Sequence, residues 1–454
     1  MIKNEGIEMD ARRVVFQVLW HVKSDETYSN NALKQAFLEH ELSVQDKALV
    51  TEIVYGTLTH YQLLIFFLQP YFQGRVKEWV QILLAMTLYQ LLYLEKIPDY
   101  AAIDGAVEIA KGRGGDFNAK AVNAILRKVA NAVAEKDLRP VDEIEDTFAR
   151  LSVQYSHPEW LVRLWMAQFG QERTLEMLQA NNERAKMVLR VNGVKIDKAD
   201  LMVRLSDEGV TCVSGNLSET ALVVVAGNPL VTDAFKEGLF YVQDEASMLP
   251  AMALAPVAKA CVLDVCAAPG GKTFHLAEMV GDLGVVQAHD IYDHKVARLK
   301  ENAKRLGVHN VEASMCSALD LDDLYKPESF DYILVDAPCS GLGIMRRHPE
   351  AKLMKKPEDL DAIIQIQKDI LANSARFLKP GGRLVYSTCT VNKKENHRQV
   401  EAFLKENADF ELDADFEVRM PAILKDNFEN GMLQLFPQDF GTDGFFIATL
   451  TKLS

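Results

Sequence analysis

Apolar residues in the first third of the chain recur at the spacing of amphipathic helices. The first such stretch contains Val14, Val15, Val18 and Leu19. The pattern returns through residues 80–94 and predicts an almost entirely helical domain over residues 1–145. The glycine-rich stretch 112–115 and Pro140 mark the end of this region, because glycine and proline interrupt helices.

The pattern changes over residues 146–237. One helical stretch follows His157, and two short β-type runs, 187–191 and 221–225, flank a helix-like segment at 198–208. This arrangement predicts a small α+β domain, which we interpret as an RNA-binding platform.

From residue 238 to the C-terminus, short buried runs alternate with helical patterns. The runs are Cys261–Asp264, 285–288, 332–336 and 383–386. Such alternation predicts a Rossmann-like, doubly wound α/β domain over residues 238–454. In such a domain, ligands bind at the carboxyl ends of the parallel strands.

Length and composition agree with a multidomain, non-membrane protein. A chain of 454 residues exceeds one ordinary core, and its longest apolar stretch is interrupted by Gln81 and Gln90. The first residues do not resemble a secretory signal, because charged side chains are spread through them. These are Lys3, Glu5, Glu8 and Asp10. We therefore expect a cytoplasmic location and no membrane partner.

Cysteine usage and charge restrict the possible partners. The six cysteines form no Cys-x-x-Cys pair and have no clustered histidines beside them, so we expect neither disulfides nor a metal site. The net charge of −14 argues against indiscriminate coating of nucleic acid, because phosphate binding needs positive patches. Any RNA site must be local, and a monomer is the default expectation.

The first chemical motif, at residues 264–273, reads Asp-Val-Cys-Ala-Ala-Pro-Gly-Gly-Lys-Thr and lies between a buried strand and a predicted helix. Its glycines and the helix N-terminus suit a nucleotide-like ligand. A P-loop is excluded because Cys266 stands where its first glycine is required, and a dinucleotide Gly-x-Gly-x-x-Gly is absent. Asp290, after the next strand, can accept hydrogen bonds from a ribose, which leaves S-adenosylmethionine as the expected cofactor.

Two further motifs each place a cysteine at the end of an apolar strand. Asp336-Ala-Pro precedes Cys339, and Ser-Thr precedes Cys389. A single cysteine is more often a small buried apolar residue than a reactive thiol. If the two strands are neighbours, however, both thiols would face one cleft, because adjacent strands are about 4.8 Å apart.

Cytosine methylation at C5 explains two thiols beside one cofactor. C5 becomes nucleophilic only after something adds to C6, and a thiolate is well suited to that addition. Negative charge then develops at N3, where Asp336 is placed to act as an acid. The second thiol can help to remove the C5 proton and expel the first.

Together these motifs resemble the RNA 5-methylcytosine methyltransferases. The resemblance implies that Cys389 is the nucleophile, that Cys339 assists product release, and that Asp336 is the catalytic acid and a cofactor contact. It assigns Asp290 to the ribose. The implied cofactor loop comprises Cys266, Ala267, Ala268, Pro269, Gly270, Gly271 and Lys272. Stretches 238–247 and 443–447 also match.

The same resemblance includes one departure and an N-terminal extension. The family has an acid where Met315-Cys-Ser-Ala318 stands here, so Ser317 or a backbone group is expected to contact the cofactor. Segments 42–56, 103–111 and 123–128 resemble the NusB-like domain, known for binding RNA. The combination is similar to bacterial enzymes that act on small-subunit (16S) ribosomal RNA.

A cluster of basic residues follows the Cys339 motif. It consists of Arg346, Arg347, His348 and Lys352. A solvated surface is the competing interpretation, but the position beside the expected cleft favours contact with RNA phosphates. Because a duplex hides C6, the target cytosine should be unpaired or flipped out.

Two other functions stay open at the level of sequence. The N-terminal half alone would suit a non-catalytic RNA-binding or antitermination factor. The cofactor fold alone would suit a methyltransferase acting on protein or on a small molecule, because a fold does not set its substrate. The paired thiols favour the RNA cytosine methyltransferase over both.

Overall fold

A computed structural model describes residues 10–454. Lys3, Glu5 and Glu8, on which the expectation of no secretory signal depends, lie outside the described residues. The chain forms two compact units: residues 10–183 with Met345–Lys355, and Arg184–Ile344 with Lys356–Ser454. Within the described part of the chain, every helix is too short or too polar to cross a membrane.

The helices are α1 (Ala11–Ser24), α2 (Ser29–Glu39), α3 (Val44–Thr59), α4 (Tyr61–Leu68), α5 (Glu78–Tyr93), α6 (Asp99–Glu135), α7 (Thr147–Tyr155), α8 (Glu159–Phe169), α9 (Gln171–Ala180), α10 (Lys198–Asp207), α11 (Asp233–Lys236), α12 (Glu245–Leu254), α13 (Gly271–Val280), α14 (Asp293–Leu306), α15 (Ala351–Met354), α16 (Glu358–Ala375), α17 (His397–Glu406) and α18 (Phe416–Arg419).

The strands are β1 (Val188–Val191), β2 (Thr211–Ser214), β3 (Ala221–Ala226), β4 (Phe240–Val242), β5 (Cys261–Asp264), β6 (Val285–Asp290), β7 (Val311–Met315), β8 (Phe330–Asp336), β9 (Leu378–Thr388), β10 (Phe410–Leu412), β11 (Phe428–Glu429), β12 (Met432–Leu435) and β13 (Phe445–Lys452).

The first unit is helical, as the apolar spacing predicts. All four apolar residues predicted to share one face of α1 are buried, and α5 is buried along most of its length. The glycine-rich stretch 112–115 does not end the region. Instead, helix α6 is kinked there. Gly115 has a φ of +73°, which glycine adopts readily because it has no Cβ. Residues 10–145 are helical as predicted, and the helical unit continues through α7, α8 and α9 to residue 183, beyond the predicted boundary at 145.

A small four-stranded antiparallel sheet begins the second unit, with strand order β2-β3-β1-β4. The two predicted β-type runs are β1 and β3, and the helix predicted between them is α10. Strand β4 follows the predicted boundary at residue 237 and pairs with β1, so this small sheet extends past that boundary.

The larger sheet of the second unit holds the motif-bearing strands. Among the described residues its order is β11-β12-β13-β9-β8-β5-β6-β7, with β10 paired to β13. Strands β9, β8, β5, β6 and β7 run parallel, whereas β13 is antiparallel to β9. All four predicted runs are strands of this sheet. The α/β prediction is confirmed, with an antiparallel extension at one end.

Candidate active site

Strands β8 and β9 are neighbours, and their register places Asp336 opposite Ser387. Each cysteine follows its strand by a few residues, and the Ala337 N–H donates to the Ser387 carbonyl at 2.9 Å. The sulfur atoms of Cys339 and Cys389 are consequently 3.3 Å apart. Both are free thiols. The prediction that the two motifs meet at one sheet edge is confirmed.

The two thiols are chemically unequal. The hydrogen bond with Cys389, followed by burial, raises the pKa of the Cys339 thiol well above its ordinary value. Cys339 therefore keeps its proton and can donate it towards the Cys389 sulfur. A protonated thiol is a poor nucleophile, so Cys339 is a weaker nucleophile in this arrangement than a thiol at its ordinary pKa.

Asp336 lies beside this pair in an ion pair that the sequence did not reveal. Its Oδ2 atom is 2.8 Å from Nζ of Lys272, and its Oδ1 atom accepts a 2.8 Å hydrogen bond from the Ser387 hydroxyl. Burial opposes the charged form of Lys272, but the carboxylate outweighs it, and the pKa of this ammonium is above its usual value. The carboxylate thus acts as an acceptor and brings a cation to the site.

The glycine-rich loop connects β5 to α13. The Ala267 N–H donates to the His289 carbonyl at 2.8 Å, and the Tyr241 hydroxyl donates to the Pro269 carbonyl at 3.1 Å. Gly270 has a φ of +108°, and a Cβ there would lie 2.4 Å from the Phe274 ring. Burial raises the pKa of the Cys266 thiol, so this cysteine is an unreactive packing residue. A side chain at position 270 would therefore clash with the Phe274 ring.

Two carboxylates flank this loop. Asp264 is buried and accepts a 2.7 Å hydrogen bond from the Thr273 hydroxyl, while its Oδ1 atom has no hydrogen-bond partner among the described residues. Burial raises the pKa of this carboxyl to about 7. Asp290 ends β6, where its Oδ1 atom accepts from the Tyr292 N–H at 3.2 Å.

Ser317 lies close to Asp290 along the sheet edge. The N–H of the preceding residue, Cys316, donates to the Asp290 carbonyl at 3.2 Å. The Ser317 hydroxyl accepts from the Leu319 N–H at 3.1 Å, so one of its lone pairs is already used. The position suits the expected contact in place of the missing acid.

Two buried polar residues near the cysteines were missed. Glu395 accepts hydrogen bonds from Ser340, the residue after Cys339, and Asn396 hydrogen-bonds to the two residues that flank Cys389. Their sequence context, Lys-Lys-Glu-Asn-His, looks like a polar surface run and carries no local signal of burial. Asp264, quoted as part of the first motif, was also not predicted to be a site residue.

The predicted RNA-contacting residues belong to the segment Met345–Lys355 of the helical unit. Arg346 is 7% exposed, and Arg347 and His348 are half-buried. Lys352 is buried, and its ammonium donates to the Thr59 carbonyl at 3.3 Å and to the Asn182 side chain. The phosphate contact of Lys352 stays a prediction, and its burial weighs against it.

Comparison with known proteins identifies the family. The 16S rRNA methyltransferase RsmB/F family matches residues 251–451. The probable ribosomal RNA small subunit methyltransferase B of Bacillus subtilis is 42% identical, covering 97% of this chain and 98% of its own length. The chain belongs to the 16S rRNA methyltransferase RsmB/F family. A counterpart of the same name from Synechocystis is 31% identical over 98% of this chain and 100% of its own.

The other regions match domains found with this family. Residues 9–131 match the NusB family, and residues 157–230 match the ferredoxin-like domain of RsmF/B-type methyltransferases. The crystal structure of PH0851 superimposes with a TM-score of 0.81 at 26% identity, covering 99% of this chain and 100% of that one. The NusB-like, α+β and α/β fold classes predicted from the sequence are confirmed.

Proposed function

We propose that the protein transfers a methyl group from S-adenosylmethionine to C5 of one cytosine in small-subunit (16S) ribosomal RNA. In this proposal Cys389 forms a covalent bond to C6 of the base. The observation that carries it is the pair of sulfur atoms, 3.3 Å apart, beside the Asp336–Lys272 ion pair. Membership of a ribosomal RNA methyltransferase family supports the RNA substrate and weighs against a non-catalytic binder.

The residues around the glycine-rich loop fit the cofactor. Gly270 lets the backbone pack directly against the Phe274 ring at the N-terminus of α13, and the Oδ1 atom of Asp264, which has no hydrogen-bond partner among the described residues, is an acceptor in need of a donor. Residues 266–272 would hold the cofactor, with Asp290 at its ribose and Ser317 and Asp336 as further contacts. When bound, it supplies an electrophilic methyl group.

The nucleophilic step belongs to Cys389. Its thiolate adds to C6, the C5–C6 double bond opens, and negative charge spreads towards N3. The Lys272 ammonium provides a positive charge that stabilises this charge in a site partly shielded from water. Asp336 acts as the proposed acid at N3 only when it carries a proton, which its hydrogen-bonded partner Lys272 can supply. C5 thereby gains the electron density that it needs to accept a methyl group.

Release belongs to Cys339. The C5 proton must be removed and the bond between C6 and Cys389 must break, so a base is needed only after the methyl group has been accepted. The largest cause of the raised Cys339 pKa is its hydrogen bond with Cys389. Once Cys389 is bonded to carbon, that hydrogen bond is lost. In this proposal Cys339 then gives its proton to solvent and takes the C5 proton as a thiolate, the C5–H electron pair re-forms the C5–C6 double bond, and the Cys389 sulfur leaves C6 as a thiolate.

The remaining parts of the chain would select and present the RNA. We propose that the target cytosine is unpaired or flipped out, since C6 is inaccessible in a duplex. Arg346, Arg347 and His348 are proposed phosphate contacts. The division into domains at 1–145, 146–237 and 238–454 also stays a proposal, with the first two contributing specificity.

The decisive experiment compares cysteine variants on ribosomal RNA from cells lacking the enzyme. Cys389→Ala should abolish methylation, whereas Cys339→Ala should accumulate an RNA–protein adduct that survives denaturing electrophoresis. Cys212→Ala, in the small sheet, is the matched control and should behave as the original protein. An adduct formed by Cys389→Ala would reverse the roles of the two thiols.

A separate experiment identifies the modified nucleotide. Bisulfite sequencing should show a protected cytosine that depends on the enzyme. Label from S-adenosylmethionine found only in protein would refute the RNA substrate.

A further inference from the structure

Two adjacent buried residues connect the two cysteine loops. We propose that Glu395 and Asn396 are positioning residues that set the sulfur-to-sulfur distance, Glu395 by holding the Cys339 loop and Asn396 by holding the Cys389 loop. The inference rests on the proposed function for its catalytic consequence, but its geometric content is independent of it. Both side chains are fully buried.

Glu395 holds the backbone on both sides of Cys339. Its carboxylate accepts from the Ser340 N–H at 2.8 Å and from the Ser340 hydroxyl at 2.5 Å. It also accepts from the Gln367 amide at 3.0 Å, and the same amide donates to the Pro338 carbonyl at 2.9 Å. The residues before and after Cys339 are therefore fixed to one carboxylate, directly or through one amide. The same carboxylate also accepts from the Thr390 hydroxyl at 3.5 Å and from the Asn392 amide at 3.1 Å, but its two shortest hydrogen bonds are those from Ser340.

Asn396 does the same for Cys389. Its Nδ2 atom donates to the Thr390 carbonyl at 2.9 Å, and its Oδ1 atom accepts from the Thr388 hydroxyl at 2.6 Å. Those two residues flank Cys389. Because Glu395 and Asn396 are joined by one peptide bond, the two cysteine loops share a single rigid support. The Tyr386 hydroxyl holds this support by donating to the Glu395 carbonyl at 2.8 Å.

The chemistry of the partners explains why a carboxylate occupies position 395. Burying a charged group is unfavourable unless hydrogen bonds replace its water. Here the described partners of Glu395 are hydroxyl, amide and backbone donors, all directed at its two oxygen atoms. An amide at this position would direct its own N–H groups at one of these donors. Glu395→Gln should therefore loosen the Cys339 loop while leaving the side-chain volume unchanged.

The two residues should have opposite kinetic signatures. Displacing Cys339 impairs release, so Glu395→Gln should accumulate the covalent RNA adduct, as Cys339→Ala does. Displacing Cys389 impairs attack, so Asn396→Ala should lower adduct formation. A misplacement of about 1 Å slows such steps on the order of 100-fold. A merely structural role would lower both steps together.

The geometric part can be tested without RNA or cofactor, using phenylarsine oxide. This reagent bridges two close thiols: two sulfur–arsenic bonds form, and the two thiol protons leave with the reagent's oxygen as water. The full-length protein should bind one equivalent, and Cys339→Ala or Cys389→Ala should prevent bridging. Glu395→Gln and Asn396→Ala should each weaken it about tenfold or more, since chelation depends on the effective concentration of the second thiol.

Matched controls separate positioning from loss of stability. Asp413→Asn removes a half-buried carboxylate of the second unit that is paired with Arg383 and Arg419. Asn310→Ala removes an asparagine that donates to the Ala277 and Gly281 carbonyls. Both should lower the unfolding temperature and leave arsenical bridging unchanged. The proposal is overturned if, for the same fall in unfolding temperature, the controls weaken arsenical bridging as much as Glu395→Gln and Asn396→Ala do.

The outcomes for the two proposals are distinguishable. Wild-type-like bridging in Glu395→Gln and Asn396→Ala would refute the positioning role, even if Cys339→Ala traps an adduct. Weakened bridging with no adduct from Cys339→Ala would leave the positioning role intact and refute the covalent mechanism. Opposite adduct signatures together with weakened bridging would support both.

Discussion

Asp264 is a buried carboxyl group whose charge the fold does not satisfy. One of its oxygens accepts from Thr273, and the other has no hydrogen-bond partner among the described residues. Burial raises its pKa to about 7, compared with about 4 in an unfolded chain. The neutral form is therefore favoured in the folded state at the acidic end of the physiological range.

This shift predicts a pH-dependent stability difference for Asp264→Asn. A group whose pKa is raised by folding stabilises the protein below its unfolded pKa, and that contribution is lost as the pH rises to the folded value. The variant does not titrate there. The free energy of unfolding of Asp264→Asn, relative to that of the wild type, should rise by on the order of 4 kcal/mol between pH 4 and about pH 7 and then stay constant.

Urea unfolding of both proteins at pH 4.5, 6, 7 and 8 measures the difference for Asp264→Asn. A constant gap across this series would contradict the raised pKa. Cofactor titration of the same samples is a second readout, because the orphaned acceptor is a proposed contact: the variant should bind S-adenosylmethionine more weakly.

At the scale of secondary structure, the cofactor helix α13 is bracketed by two glycines with positive φ. Gly270 precedes it with a φ of +108°, and Gly281 follows it with a φ of +66°. The two differ in their surroundings: a Cβ on Gly270 would meet the Phe274 ring at 2.4 Å, whereas one on Gly281 would meet nothing within 4 Å. Substituting each glycine in turn therefore distinguishes the cost of the backbone conformation from the cost of a clash with neighbouring atoms.

Gly270→Ala and Gly281→Ala should therefore behave differently. Both substitutions put a side chain on a residue with positive φ, which costs roughly 1 to 3 kcal/mol. Only Gly270→Ala must also displace Phe274 and the proposed cofactor loop, so it should lose at least tenfold in S-adenosylmethionine affinity. Isothermal titration calorimetry and thermal unfolding of the two variants check this. Equal affinities would show that the loop tolerates a side chain at position 270.

The parallel strands could be predicted from the sequence because each combines an apolar run with a motif at its carboxyl end. Strands β5, β6, β8 and β9 are of this kind. Strand β2 was missed because its residues are mostly exposed, which leaves no buried run to recognise. Contacts between distant side chains could not be predicted either. Lys272 donates to Asp336, which is 64 positions away, and Glu395 accepts from Ser340, which is 55 positions away. Spacing along the chain does not encode such pairs.

At the scale of the whole molecule, charge in the segment Met345–Lys355 stabilises the helical unit. Glu350 is buried at the N-terminus of α2, where it accepts from the Ser29 N–H and hydroxyl at 3.1 and 2.8 Å. Lys352 donates to the carbonyl of Thr59, the last residue of α3. An acid at a helix N-terminus is favourable, whereas burial opposes the charged form of Lys352 although its ammonium donates at the end of α3. The sequence alone suggested an exposed basic run, because the helices that bury Lys352 are almost 300 residues away.

Salt dependence of RNA binding distinguishes the two roles of this segment. Each neutralised phosphate releases counterions and adds about 0.7 to 0.9 to the slope of log affinity against log salt. Because the chain carries a net charge of −14, few such contacts are expected and the loss of one should be measurable. Arg347→Ala should lower the slope by about one contact. Lys352→Met should leave it unchanged, because that ammonium already donates within the helical unit.

The slope is measured by fluorescence anisotropy with a ribosomal RNA fragment between 50 and 200 mM salt.

Burial lowers the pKa of Lys352 to about 7. Between that value and its unfolded pKa near 10.5, the wild-type protein therefore gains stability as the pH rises. Lys352→Met lacks this gain, and its stability relative to wild type should fall between pH 7 and pH 10. An equal loss of slope in both variants would indicate that Lys352 contacts the RNA. A stability difference independent of pH would contradict the lowered pKa of Lys352.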